Sequence, residues 1–169
     1  PTVVEITAEN ISQYALLSQN QDPRYRNPDG NPEFGGAMVA MPSMVLSYAP
    51  LLRGDIAEHS GFVALERSTT ARRQTPFAKC EIRWFNPVTA GDTITGTQGV
   101  LEKYERRGSK FVTFRVEAAN QHGQQVAQFD YTCIFEYAQG QRTVPQDRGS
   151  AAPRVVAPGP IADDPGATT

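Results

Sequence analysis

The second half of the chain carries a pattern of period two that leaves little choice of fold. Ala78, Cys80, Ile82 and Trp84 alternate with Lys79, Glu81 and Arg83 until Asn86-Pro87 stops the run, as side chains do on the two faces of a half-buried strand. A second run covers 93–104. Arg106-Arg107-Gly108-Ser109 then reads as a turn and 110–119 as its partner strand, with Val112, Phe114, Val116 and Ala118 on one face. Asn120-Gln121-His122-Gly123 makes the next hairpin. The last run, 125–137, puts Ala127, Phe129, Tyr131, Cys133, Phe135 and Tyr137 on one side, which predicts a long central strand.

The first half supplies the helices. Thr7 can cap a helix whose first turn holds Glu9, and Ile6 can staple onto Ile11 across the cap. Ile11, Tyr14, Ala15 and Leu17 form its apolar stripe, and the end is expected near Gln19-Asn20 because Pro23 and Pro28 follow. Residues 26–36 are dense in Asn, Pro and Gly and read as an irregular loop, of the kind that often borders a site. Residues 37–52 are the most apolar segment. Pro42-Ser43 reads as the start of a helix running through Met44, Val45, Leu46, Tyr48 and Leu51, shortened or kinked at Pro50. A helix apolar on nearly all sides has to be wrapped, which predicts burial inside a curved sheet.

Length and charge narrow the function classes. The 169 residues suit one domain over 1–138, followed by a Pro/Gly/Ala-rich stretch over 139–169 expected to be a flexible tail. A hydrophobic content of 39%, a charged content of 20% and a formal charge of -2 give no basic excess for nucleic acid or an anionic membrane. Cys80 and Cys133 fall in apolar alternating runs and are expected as buried hydrophobes, pointing weakly to a reducing compartment. Two isolated histidines and two core cysteines make no metal cluster. Neither a signal peptide nor a membrane span is expected from the Pro1-Thr2-Val3-Val4 start, so the expected location is the cytoplasm.

Two stretches carry a family resemblance. Phe85-Asn86-Pro87-Val88-Thr89-Ala90-Gly91-Asp92-Thr93, with one residue fewer between Phe85 and Pro87, resembles the F-x-x-P-V-x-x-G-D-T segment that opens a sheet strand in MaoC-like hydratases and dehydratases, with Gly91 and Asp92 in a turn. Residues 14–25, Tyr-Ala-Leu-Leu-Ser-Gln-Asn-Gln-Asp-Pro-Arg-Tyr, are similar to that family's Y-x-x-x-S-G-D-x-N-P-x-H signature at Tyr14, Ser18 and Pro23. The resemblance spans about 5–137. It implies an α+β hot dog fold, a curved antiparallel sheet wrapped around a long buried helix, and an acyl thioester as ligand.

Departures from the signature bear directly on function. In the family, the Asp and His handle the proton and water for addition to an enoyl thioester, or for the reverse dehydration. Here Asn20 occupies the Asp position and Tyr25 the His position. An amide cannot titrate and a phenol stays protonated at neutral pH, so neither is a ready base. General acid–base help is typically worth about a hundred- to ten-thousandfold. Asp22 is a possible substitute, although its plainer role is capping the turn before Pro23. His59 is a second candidate. His122 fits a solvated hairpin turn better than a catalytic one.

The resemblance places a thioester-oxygen donor at the start of the long helix. Pro42 has no N–H, so Ser43 is the candidate, aided by the helix dipole; the same two residues are also simply good helix starters. Phe34, Met38, Met41 and Met44 are candidates for an acyl tunnel, with plain core packing the stronger reading for the methionines. Arg106, Arg107 and Lys110 cluster in one hairpin and suit either coenzyme A phosphates or an acidic carrier protein, or else a solvated face. Arg72, Arg73 and Lys103 fit the solvated reading better.

With Gln19-Asn20-Gln21-Asp22, Tyr25 and the Pro-bearing helix start, the chain looks like the substrate-holding subunit of two-subunit (3R)-hydroxyacyl-ACP dehydratases of mycobacterial type. That implies a hot dog partner, as heterodimer or homodimer, and no cofactor beyond the coenzyme A or acyl carrier protein bearing the substrate. Two alternatives stay open: a self-sufficient homodimeric hydratase with an atypical base, and a non-catalytic acyl-thioester-binding protein. A thioesterase is disfavoured because 37–52 contains no Asp or Glu.

Overall fold

The computed structural model describes residues 1–27, 31–61 and 76–134, with the backbone of 154 and 155. Three of the four long strands follow their expected turns. β2 (Phe77–Trp84), β3 (Thr93–Arg106), β4 (Ser109–Ala119) and β5 (Gln125–Ile134) are antiparallel where paired. The β3–β4 hairpin turns on Arg107 and Gly108, at φ 52° and 75°. Both central residues must be left-handed in a turn whose twist matches its strands, and glycine supplies one of them without strain. Asn120 closes the β4–β5 turn by accepting from the N–H groups of His122 and Gln124. Phe135 and Tyr137 lie outside the described residues, as do Arg72 and Arg73.

A short first strand, absent from the sequence-based expectation, extends the sheet. β1 (Thr2–Glu5) pairs antiparallel with β3, and the sheet order is β2, β5, β4, β3, β1, then β6 (Arg154–Val155), which runs parallel to β1. Four residues give too little alternation to stand out. Its position depends on a distant glycine: Thr2 is the partner of Gly96, where an added Cβ would lie 2.6 Å from Thr2 Oγ1. Apart from β6, the expected tail over 139–169 lies outside the described residues.

α1 (Ala8–Leu17) begins as expected. Thr7 Oγ1 accepts from Asn10 N–H at 3.1 Å, and Ile6 and Ile11 on either side of the cap are both buried. The helix ends earlier than expected, at Ser18, with Gln19 left-handed at φ 55°. Leu17, assigned to the buried stripe, is 58% exposed; the stripe ends with Ala15.

The long buried helix is broken and not continuous. A 3-10 turn, Pro42–Met44, leads into α2 (Val45–Tyr48), and after Pro50 a separate α3 (Arg53–His59) follows. Proline disfavours the helical conformation in the residue before it and has no N–H for the ladder, and Ala49 has accordingly left it at φ -130°, ψ 64°. Wrapping is also incomplete. Met44, Val45, Tyr48 and Ala49 are buried, whereas Leu46 is 54% exposed and Ser47 also faces out.

The concave face of the sheet meets this broken helix. Ile94, Val116, Ala118, Val126, Ala127 and Phe129 share one core with Ile6, Ile11, Met38, Met44, Val45 and Tyr48. Val112, Phe114 and Cys133 form a second cluster under Leu51 and Ile56. Burial pushes the Cys133 thiol up, as expected of a cysteine acting as a small hydrophobe. Among the described residues no helix is long and apolar enough to cross a membrane, and no group of three or more His, Cys, Asp or Glu side chains could hold a metal.

On the opposite face, Arg115 of β4 and Asp130 of β5 form a two-pronged ion pair, both N–O distances 2.7 Å. Hydrogen bonds from Arg115 hold the Asp130 carboxyl below the usual aspartate range. A depressed carboxylate stabilises the fold above its unfolded pKa, and that contribution is lost as pH falls through the folded value. Urea denaturation at pH 7 and pH 3 is therefore expected to show an acid loss of stability that is smaller in Asp130→Asn.

Candidate functional site

Two segments meet where the helix begins. Val39 bridges to Thr89, Ala40 N–H donates to the Val88 carbonyl at 2.8 Å, and Ala90 N–H donates to the Met38 carbonyl at 2.9 Å. The strand-opening motif is held by its own turn: Gly91 takes φ 98°, and Asp92 Oδ2 accepts from the Thr89 N–H at 2.8 Å and its hydroxyl at 3.2 Å. This short ladder sets Met41 and Pro42 against Pro87 and Val88. Between them opens a cavity of about 250 Å³, lined among others by Tyr25, Met41, Pro42, Tyr48, Trp84 and Phe85.

The two degenerate positions reach this place from the loop after α1. Asn20 Nδ2 donates to Met41 Sδ at 3.8 Å, and Asn20 Oδ1 accepts from Asp22 N–H at 2.9 Å. Asp22 then starts a 3-10 turn, Pro23–Tyr25, by accepting from Arg24 N–H at 3.0 Å. That turn carries the half-buried Tyr25 to the cavity wall and leaves the Arg24 guanidinium 5.5 Å from its ring centre. Tertiary structure thus brings Asn20 and Tyr25 to the helix start, 16–23 positions along the chain.

Asp22 has the geometry of a structural carboxylate. Arg24 binds it through Nε and Nη2 at 3.0 and 2.7 Å, and these hydrogen bonds lower its pKa. An aspartate so held is charged and paired at neutral pH, which suits a turn cap more than a proton acceptor. His59 closes the last turn of α3, exposed, with Nδ1 2.7 Å from the Asp55 carbonyl oxygen. His122 is exposed in the β4–β5 turn. Neither histidine lines the cavity.

Ser43 is exposed in the first turn of the 3-10 segment, where a backbone N–H has no intrahelical acceptor; the first bond of the segment runs from Met44 N–H to the Met41 carbonyl. With only seven residues from Pro42 to Tyr48, the local N–H matters more here than a summed dipole. Of the four tunnel candidates, Met41 lines the cavity, Met38 and Met44 are buried in the core, and Phe34 sits in an exposed 3-10 turn away from the lining. Arg106, Arg107 and Lys110 are exposed together at the β3–β4 tip, outside the cavity wall.

Sequence reading missed the aromatic half of the wall. Trp84 Nε1–H donates to the Pro42 carbonyl at 3.0 Å, clamping the end of β2 to the helix start. Phe85 follows it, and both are half exposed. The available signal was two aromatic residues in succession at the end of an alternating run, the second of them opening a motif already singled out. Tyr48 was read as core; it is buried, yet it also contributes to the cavity wall, and burial pushes its phenol up to about 12.

An antiparallel sheet curved around a central helix with this cavity at the helix start defines a hot dog protein. A family model described as FAS1-like, dehydratase domain region, matches residues 1–129. The chain belongs to that family, a MaoC-like dehydratase family of hot dog proteins. Solved structures carry the same fold. The HadBC (3R-hydroxyacyl-ACP dehydratase) complex of Mycobacterium tuberculosis is 19% identical, at TM-score 0.64, over 80% of this chain and 91% of that one. The ChsH1–ChsH2 complex of the same organism is 12% identical at TM-score 0.56, over 80% and 86%. A MaoC-like dehydratase of Rhodospirillum rubrum is 17% identical at TM-score 0.55, over 79% and 87%. No curated protein matches the chain.

Proposed function

We propose that this chain is the acyl-thioester-holding subunit of a (3R)-hydroxyacyl-thioester dehydratase, equally an enoyl-thioester hydratase in reverse, and that a second hot dog chain supplies the Asp and His. The observation that carries the reading is the site itself: Asn20 bonds Met41 at the helix start, Tyr25 lines the same cavity, and among the described residues no carboxylate or histidine lines it. Two of the similar structures are complexes, which supports a heteromeric arrangement.

In this reading the Ser43 N–H donates to the thioester oxygen and withdraws charge as the enolate develops. Met41, Trp84 and Phe85 receive the acyl group. A cavity of about 250 Å³ falls just under the roughly 300–1,000 Å³ of pockets for drug-sized ligands, so it takes a short acyl group or one end of a long one. The substrate arrives on coenzyme A or acyl carrier protein, in the cytoplasm, and no resident cofactor takes part. β2 is a sheet edge, paired only with β5 among the described residues, and Phe77, Trp84 and Phe85 are exposed along it. An edge of this kind invites a partner strand, and we place the partner hot dog there.

Purified alone, the chain is expected to bind crotonyl-CoA or a longer enoyl-CoA with little turnover. Co-expression with a MaoC-like partner that keeps D-x-N-P-x-H is expected to raise hydration by about a hundred- to ten-thousandfold, followed as loss of enoyl absorbance. Strong activity of the chain alone, abolished by Asp22→Asn or His59→Ala, overturns the subunit reading.

A further inference from the structure

We infer that Tyr48 is a specificity-determining residue whose phenol donates a hydrogen bond to an oxygen at the third carbon of the acyl group. The inference rests on the acyl-thioester reading and adds a residue to it. Three observations on one side chain carry it.

Tyr48 is 2% exposed and belongs to the core beneath the helix start. Among the described residues no donor or acceptor bonds it; burial alone accounts for the behaviour of the phenol. A buried hydroxyl left without a partner is rare and calls for one. It also lines the cavity that holds Met41, Pro42 and Trp84, and the polar Trp84 N–H is already committed to the Pro42 carbonyl.

Direction follows from helix geometry. Helical side chains lean toward the helix N-terminus, and Tyr48 ends α2 five positions after Ser43. Its ring therefore leans back over Val45 and Met44 toward the helix start, and Tyr48 shares the cavity wall with Met41 and Pro42, where the acyl group is proposed to sit. An oxygen two carbons from the thioester carbon is the polar atom that a 3-hydroxyacyl group offers there and a saturated acyl group lacks. The phenol stays protonated through neutral pH and acts as donor. A site with a polar group built for a ligand hydroxyl discriminates against the analogue without it, because the group is then buried unpaired.

The test is isothermal titration of the full chain and of Tyr48→Phe with butyryl-CoA and (3R)-3-hydroxybutyryl-CoA, with thermal melts of the free proteins. Wild type is expected to bind the hydroxy ligand about tenfold more tightly than the saturated one, the worth of one neutral hydrogen bond. Tyr48→Phe is expected to erase the difference by weakening the hydroxy ligand about tenfold while leaving the saturated one unchanged. The unliganded variant is expected to melt at or above wild type, since it loses a hydroxyl without a protein partner. Equal affinities in wild type, an unchanged preference in the variant, or a lower melting point overturns the assignment of Tyr48 and leaves the thioester reading standing. Failure of wild type to bind either thioester overturns both.

Discussion

Asn20→Asp combined with Tyr25→His is expected to turn this chain into a self-sufficient hydratase, at least about a hundredfold faster than wild type on an enoyl thioester. Both positions already reach the helix start: Asn20 touches Met41, and Tyr25 lines the cavity with Met41 and Pro42. An aspartate at 20 keeps the oxygen that accepts from Asp22 N–H, so the loop is expected to hold its path. A histidine at 25 sits at the end of the 3-10 turn that Asp22 caps and titrates near neutrality. Neither substitution alone is expected to exceed a few-fold, because a carboxylate without the imidazole it orients lacks the proton-transfer partner. Steady-state hydration by the four chains checks this. A double variant that binds the thioester and stays inactive would show that the catalytic half requires a different chain to build it.

Phe129→Ala is expected to destabilise the fold by about 3–5 kcal/mol, the usual range for removing a buried phenylalanine from a core. Phe129 is 2% exposed on β5, a strand paired on both sides, with Ile82 of β2 and Val116 of β4 as its backbone neighbours and Val45 of the helix in the same cluster. Strands on both sides and a helix above leave no direction of collapse, so the cavity persists. Against a typical total of about 5–15 kcal/mol, that is a large share. Leu46→Ala in the same broken helix is expected to cost about 0.5 kcal/mol or less, since its side chain faces out. Urea denaturation of the two variants separates the cases, and a large loss in Leu46→Ala would show that the helix is wrapped on all sides after all.

Legibility of the site was uneven for physical reasons. Asn20 and Tyr25 were singled out by their place in a signature whose spacing local turns preserve, Ser43 as the first N–H after Pro42, and Asp22 as a turn cap because a cap acts within two or three residues. Trp84 was seen only as one apolar position in an alternating strand. Its role comes from a hydrogen bond to a carbonyl 42 positions earlier, which no local pattern encodes. Tyr48 looked like core, and by burial it is; only the absence of a partner among the described residues and the adjoining cavity mark it out.

Local pattern determined the four long strands, their turns and the β3–β4–β5 meander, since period-two alternation and residues that tolerate left-handed backbone act over a few positions, but not that β2 pairs with β5. It also determined that the helix would fail near Pro50, because a proline's missing N–H and its clash with the preceding residue are local facts. Tertiary structure alone decided how much of the helix is wrapped, where β1 pairs through Gly96, and that the loop after α1, the helix start and the end of β2 enclose one cavity. Those depend on contacts between positions far apart in the chain, whose energies exist only once the sheet has closed around the helix.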